Sequence, residues 1–462
     1  MNRADTTGTL GVLASVLALF AVSFSLHAQV PSDIQVSFLK WAKRSLHPVV
    51  SADLGSPTKD LAPIEKMIGD AKIVVVGEFV HAGAEPLIFR NRLFKHLVKR
   101  NGFTAIGIES GVVESRLLND YVTQGKGDFA TVLKQGLSQG SDTFRQNGEL
   151  IQWMRQYNDR LPEGAVKLQV FGMDVPGSPG NPDAAQRPDM PLRVSLDYLH
   201  IVDPNAAMQL ESRVERFFPL LRDTAGYGTL KQTERDTLTA AIDDLVSLIQ
   251  RNRPAYVEKT SAEDYEWAER TAIGAHQTDA WFRLMPLPWK LGDGFEWTRY
   301  SSQVRDRAMA DNVEWILNRL GPHGRILLYA AVGHMTSTPA RIDNPRIVET
   351  IGAGTYLKAR YGSDFVGILN LVKDGEIKYC SAHPRPSMPL KSPPESAAEN
   401  LFAAVNVPQY VLDLRSAPAN VSSWLHQVRD HWNGSSMSHF ATADAFDIVY
   451  YVSPVTSACI PE

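Results

Sequence analysis

The chain is punctuated by short, continuous apolar runs. The first, residues 73–76, is four β-branched residues in a row, as in a parallel strand buried on both faces, and it closes on Gly77 and Glu78. The period then changes. Over residues 86–100 the apolar positions recur at helical spacing, with Leu93, Phe94, Leu97 and Val98 on one stripe; Pro86 suits a first turn and Gly102 marks a stop. A second apolar run, residues 103–108, ends in Glu109. Strand, helix and strand in this order predict a β-α-β unit with a right-handed crossover. Both strands then run the same way. Glu78, Glu109 and His81, from the loop between strand and helix, share the carboxyl edge, where open α/β sheets bind ligands. On the helix, Arg92, Lys95, Lys99 and Arg100 form an expected solvated face. Arg90 lines up with Phe94 and Leu97 instead. A guanidinium on the core side calls for a carboxylate partner, and Glu78 or Glu109 is the expected one.

The same alternation of periods continues. Residues 167–173 form a third strand ending in Asp174, and residues 325–332 a further one ending in Gly333-His334. Residues 365–371, 410–414 and 446–452 are expected strands; residues 110–122, 128–134, 149–158, 303–320 and 421–428 are expected helices. Between residues 192 and 285 only helical periodicity is found, followed by a Pro-rich aromatic segment whose Trp289, Trp297 and Tyr300 are suited to line a substrate pocket. The fold class is therefore α/β: a largely parallel central sheet flanked by helices, with an inserted all-helical lobe. Residues 29–191 and 301–462 are read as the two parts of the α/β catalytic domain, and 192–300 as the helical lobe and substrate wall.

Composition changes this picture only at the margins. The 462 residues are 44% hydrophobic and 21% charged, an ordinary globular balance, and a net charge of -4 provides no basic field for nucleic acid. The N-terminus stands apart. Arg3, an apolar core over residues 10–20 and a small-residue site ending at Ala28 read as a signal peptide, residues 1–28, too short to span a bilayer. The expectation is a periplasmic or secreted protein with no stable membrane anchor after cleavage. The two cysteines, Cys380 and Cys459, have no CxxC spacing and are free to pair in an oxidising compartment.

Four buried strands thus end at or beside a group that titrates: Glu78 with His81, Glu109, Asp174 and His334. Carboxylates, imidazoles and a guanidinium gathered at one edge suit hydrolysis. A neutral imidazole takes a proton from water, a carboxylate on its other nitrogen fixes the tautomer, and a second cation steadies the oxyanion. The same set suits a divalent metal, although no HExxH helix is present. Gly136-Leu137-Ser138-Gln139-Gly140 matches the G-x-S-x-G pattern, but it follows a helix and not a buried strand, so Ser138 is read as a chance match.

The segment Gly77-Glu78-Phe79-Val80-His81 resembles the GE-x-x-H signature of the erythromycin esterase family, and the likeness continues through Gly102-Phe103-Thr104-Ala105, Glu109-Ser110-Gly111, Gly172-Met173-Asp174, Arg305-Asp306-Arg307, Gly333-His334 and Phe446-Asp447. The resemblance implies a carboxylic ester hydrolase that adds water to an ester or lactone, macrolides among the candidates, with no cofactor and no covalent intermediate. It implies His81 as general base, Glu78, Arg90 and Glu109 as supporting groups, and His334 as a later-motif histidine; Asp174 is taken with the aromatic residues as substrate-binding. The chain departs from the family pattern at Val80 (Thr), Ala82 (Gly) and Ser337, where a second histidine is usual. The alternatives are a metal-dependent, peptidase-like hydrolase at the same site, or a degenerate ligand-binding protein, which Ser337 favours.

Overall fold

A computed structural model describes residues 30–138, 140–176, 189–222, 224–284, 299–343, 347–378, 387–434 and 436–459. The leader, Trp289, Trp297 and Cys380 lie outside the described residues, as does the side chain of Tyr300.

Eight strands form the central sheet: β1 His47–Pro48, β2 Ile73–Glu78, β3 Ala105–Gly111, β4 Gln169–Asp174, β5 Ile326–Ala331, β6 Phe365–Val372, β7 Gln409–Asp413 and β8 Ile448–Val452. Their order is β1-β7-β8-β6-β2-β5-β3-β4. The six from β8 to β4 are mutually parallel, while β7 runs antiparallel to both β8 and β1. The β-branched runs are buried throughout, as a sheet covered on both faces requires. β2 and β3 do run the same way, but β5 lies between them, so Glu78 and Glu109 face each other across an intervening strand.

Two differences from expectation at this edge matter. β3 extends through Glu109 to Gly111, so Glu109 lies within the strand; the register with β4 slips between Ile108 and Gly111, an irregularity of the kind that re-aims a side chain. This close approach leaves no room at Gly172, where a Cβ would collide with the carbonyls of Ser110 and Gly111. Backbone cannot yield as a side-chain tip does, so Gly172→Ala is expected to cost about 1–3 kcal/mol, as overpacking does, read from a chemical-denaturation curve. The helix Ala84–Arg100 forms as expected, and Lys99 and Arg100 are exposed as expected, but the other half of its basic face is covered: Arg92 is buried against Asp60 and the carbonyls of Val50 and Pro57, and Lys95 against those of Leu54, Gly55 and Ser56. The segment before β2 folds over these side chains, which composition does not foretell.

The expected all-helical stretch is observed in helices Met190–Val202, Pro204–Val214, Gln232–Arg251 and Ala262–Leu284, with a separate apolar cluster that includes Leu199, Ile242, Ile249 and Phe282. A four-stranded sheet was not foreseen: Val428–Trp432, Met437–Ala441, Ala340–Asp343 and Ile347–Thr350, antiparallel throughout. The helix expected at 421–428 accordingly spans Ala419–Leu425. This small sheet buttresses the loop after β2, because Phe440 and His431 stack with Phe79, the residue after Glu78.

Candidate active site

The loop from Phe79 to Gly83 is pinned from two sides. Phe79 is held in the aromatic stack, and the C-terminal segment closes the other side: Ala84 N–H donates to the Thr456 carbonyl, Ala458 N–H to that of Ala82, and Glu85 accepts from Thr456. Within it Ala82 has φ 64°, a left-handed conformation in which glycine is the easier residue. The departure to alanine noted in the sequence therefore falls at a position where the loop geometry still holds.

This loop places His81 beside Glu78. His81 Nδ1 and Glu78 Oε1 are 2.9 Å apart, the other oxygen of Glu78 accepts the Tyr329 hydroxyl, and no protein partner is found on Nε2 among the described residues. Half of the His81 side chain meets solvent, against 9% for Glu78. Partial removal from bulk water favours the neutral form, but the hydrogen bond and charge of Glu78, with the charge of Glu109, outweigh it and raise the His81 pKa to about 9.

A second carboxylate–imidazole pair stands on the far side of Glu109. His334, on the short helix Val332–Met335 after β5, has Nδ1 2.7 Å from Asp306 and Nε2 3.4 Å from Glu109. Burial lowers its pKa, but Asp306 and Glu109 raise it to about 10 against the opposing charge of Arg305. Glu109 itself accepts the Ala331 N–H at 2.7 Å and an Arg305 N–H at 3.1 Å. Burial alone would raise this carboxyl; His334, Arg305 and His81 hold it well below the usual carboxylate range. Arg305 also forks onto both oxygens of fully buried Asp174.

Glu78, His81, Arg90, Glu109, Tyr329 and the Ser141–Asn147 turn line a cavity of about 280 Å³. His334 reaches this cavity only through Glu109, and Asp174, which anchors Arg305, is not among the residues that line it. The partner expected for Arg90 is corrected. Arg90 is fully buried on the core side, but no carboxylate pairs with it among the described residues. Its hydrogen bonds go to the amide oxygens of Asn91 and Asn147, the guanidinium lies 4.9 Å from the Tyr329 ring centroid, and Nη1 has no partner among the described residues. Burial lowers its pKa to about 10, which leaves it charged at neutral pH. Ser138 is buried, its hydroxyl accepting the Gly111 N–H, and takes no part in the cavity. Among the described residues no group of three or more His, Cys, Asp or Glu side chains is placed to hold a metal ion.

Tyr329 was not singled out from the sequence, and Arg305 and Asp306 entered only as part of the family resemblance, with no role assigned. Tyr329 reads as one more apolar position of β5. Arg305 and Asp306 also carried a local signal: they are charges placed one turn before Met309 and two before Val313, on the buried stripe of helix Arg299–Leu320.

Comparison with known proteins bears on the family of this chain. The erythromycin esterase profile matches residues 98–455, a span that begins after Glu78, His81 and Arg90 and takes in Glu109, Asp174, Arg305, Asp306 and His334. Erythromycin esterase type II of Escherichia coli is 24% identical over 85% of this chain and 92% of its own length. The type I enzyme of Escherichia coli is 24% identical over 76% of this chain and 82% of its own. The crystal structure of the erythromycin esterase EreC in its open conformation superposes with a TM-score of 0.67 at 18% identity, covering 89% of this chain and 97% of that one, which shows the shared fold. With more than three-quarters of its length under one profile and the same mixed α/β architecture, this chain belongs to the erythromycin esterase family.

Proposed function

We propose that this protein is an exported carboxylic ester hydrolase in which His81 acts as a general base on water, with no covalent enzyme intermediate. The observation that carries the reading is the His81 ring: its Nδ1 is engaged by Glu78, its Nε2 has no partner among the described residues, and the ring lines the cavity. In the proposed step Nε2 takes a proton from water as the oxygen bonds to the ester carbon. The tetrahedral oxyanion then collapses, the carbon–alkoxide bond breaks, and the imidazolium returns the proton to the leaving oxygen. The products are a carboxylic acid and an alcohol, joined in one molecule when the substrate is a lactone. Water as nucleophile is supported by His81 having no Ser, Thr or Cys side chain as a hydrogen-bond partner among the described residues. Ser141 also lines the cavity, but its hydroxyl donates to the Ser138 carbonyl at 2.7 Å. His334, held by Asp306, acts through Glu109, whose charge it offsets, and the cation that lines the cavity for the developing oxyanion is Arg90.

The cavity lies at the small end of the range for ligand sites, roughly 300–1,000 Å³. It suits the reacting ester and its nearest substituents, with the bulk of a large lactone outside. Macrolide lactones belong in the first substrate panel, because two similar enzymes carry that substrate in their names. The test is mass analysis of candidate esters and lactones after exposure to the protein. Gain of one water supports the proposal; measurable binding with unchanged mass in every case would replace it with a ligand-binding role. Export is supported by the leader-like N-terminus and by Cys459, which is disulfide-bonded.

The raised pKa of His81 makes a further prediction. Only the neutral ring accepts a proton, so at pH 7 about one molecule in a hundred carries the base form. The expected kcat/KM climbs about tenfold per pH unit from 7 and levels off above about 9. A profile already flat at pH 7 would speak against His81 as the titrating base.

A further inference from the structure

We propose that Tyr329 is a positioning residue for the Glu78–His81 pair, its phenol holding the carboxylate in the orientation that turns one oxygen to His81 Nδ1 and leaves Nε2 to the cavity. This rests on the reading of His81 as the base. The two oxygens of Glu78 have separate duties: Oε1 meets His81 and Oε2 accepts the Tyr329 hydroxyl. Tyr329 comes from β5, directly beside β2, in register with Val76, so the bond crosses between neighbouring strands of the most buried part of the sheet. The ring cannot swing away. Arg90 covers it at 4.9 Å, and Arg90 is itself clamped by Asn91 and Asn147. Arg90 would thus serve catalysis without pairing to a carboxylate, by fixing the ring that fixes Glu78. Burial and the charge of Glu78 hold the phenol well above its ordinary titration range, so it stays a donor wherever an esterase is assayed.

A hydrogen-bond donor on one carboxylate oxygen draws charge from the other. With the phenol present, Glu78 orients the imidazole without holding its proton too tightly. Without it, the negative charge concentrates on the oxygen facing His81, and the ring keeps its proton to higher pH. The experiment uses full-length protein labelled at histidine for NMR, with the His81 signal assigned by its disappearance in His81→Asn. It needs no substrate, so its outcome is separate from whether the chain hydrolyses esters. In Tyr329→Phe, which keeps the ring beneath Arg90, the His81 midpoint is expected to rise by about half to one pH unit, the scale of one hydrogen bond. In a Glu78→Gln background the same change is expected to move nothing, since the coupling runs through the carboxylate. Should Tyr329→Phe not fold, fluorotyrosine incorporation makes the phenol a stronger donor and is expected to lower the midpoint. A His81 midpoint that is unchanged or lowered in Tyr329→Phe, or unchanged on fluorination, overturns the proposal.

Discussion

Replacing His81 by alanine is expected to lower turnover at least about a hundredfold, the usual scale for loss of a general base. The comparison is best made above about pH 9, where the wild-type ring is mostly neutral and the gap between the two proteins is widest. The fold should survive, because half of the side chain faces solvent and its single hydrogen bond is to Glu78, which keeps the Tyr329 donor. Melting temperature and circular dichroism check this independently. The loss should fall on kcat, since the imidazole acts on water and is not assigned to hold substrate. Turnover within a few-fold of wild type would remove His81 from the mechanism and shift attention to the His334–Asp306 pair.

Arg305→Leu is expected to produce the largest loss of stability, about 3–5 kcal/mol, because it removes the guanidinium that pairs with two largely buried carboxylates. Asp174 is fully buried and Glu109 nearly so, and a single guanidinium spans both. Lysine should not rescue the protein, since one ammonium point cannot reproduce the fork onto Asp174 while reaching Glu109. The second consequence is functional: Glu109 loses one of the donors that aim it at the cavity, so activity falls even where the variant remains folded. Urea denaturation of wild type and variant gives the first quantity. A difference under about 0.5 kcal/mol, the scale of an ordinary surface substitution, would show that the charges are compensated by other means.

The candidate site was legible to the extent that polar groups interrupt apolar runs. Glu78, Glu109, Asp174 and His334 each stand at or just past a buried strand, and parallel strands bring such groups to one edge. Asp174 shows the limit of that logic. It sits at the expected edge, yet faces a guanidinium from a helix more than a hundred residues away and not the cavity. Arg90 shows another limit. Helical periodicity placed it on the core side, and there it is, but the expected carboxylate partner is replaced by two amides and an aromatic face. Periodicity states which side of a helix is buried; it does not state what lies opposite.

The small antiparallel sheet escaped for a related reason. Val428–Trp432 and Met437–Ala441 carry Arg, Asp and His among their apolar residues, and no clean period-2 alternation marks them. Their polar side chains are satisfied only by distant parts of the chain: His431 meets Glu399, and His439 lies between Asp430 and Asp343. The sequence by itself determined the class of fold, the strands that carry Glu78, Glu109, Asp174 and His334, and the family, because these depend on local periodicity and on short motifs read within a few residues. The tertiary structure decided strand order, the insertion of β5 between β2 and β3, and therefore which side chains share the cavity. Tyr329 reaches Glu78, and Arg305 reaches Glu109, only because segments roughly two hundred or more residues apart pack together. Contacts at that separation are set by how layers bury their faces against one another, which no local pattern along the chain encodes.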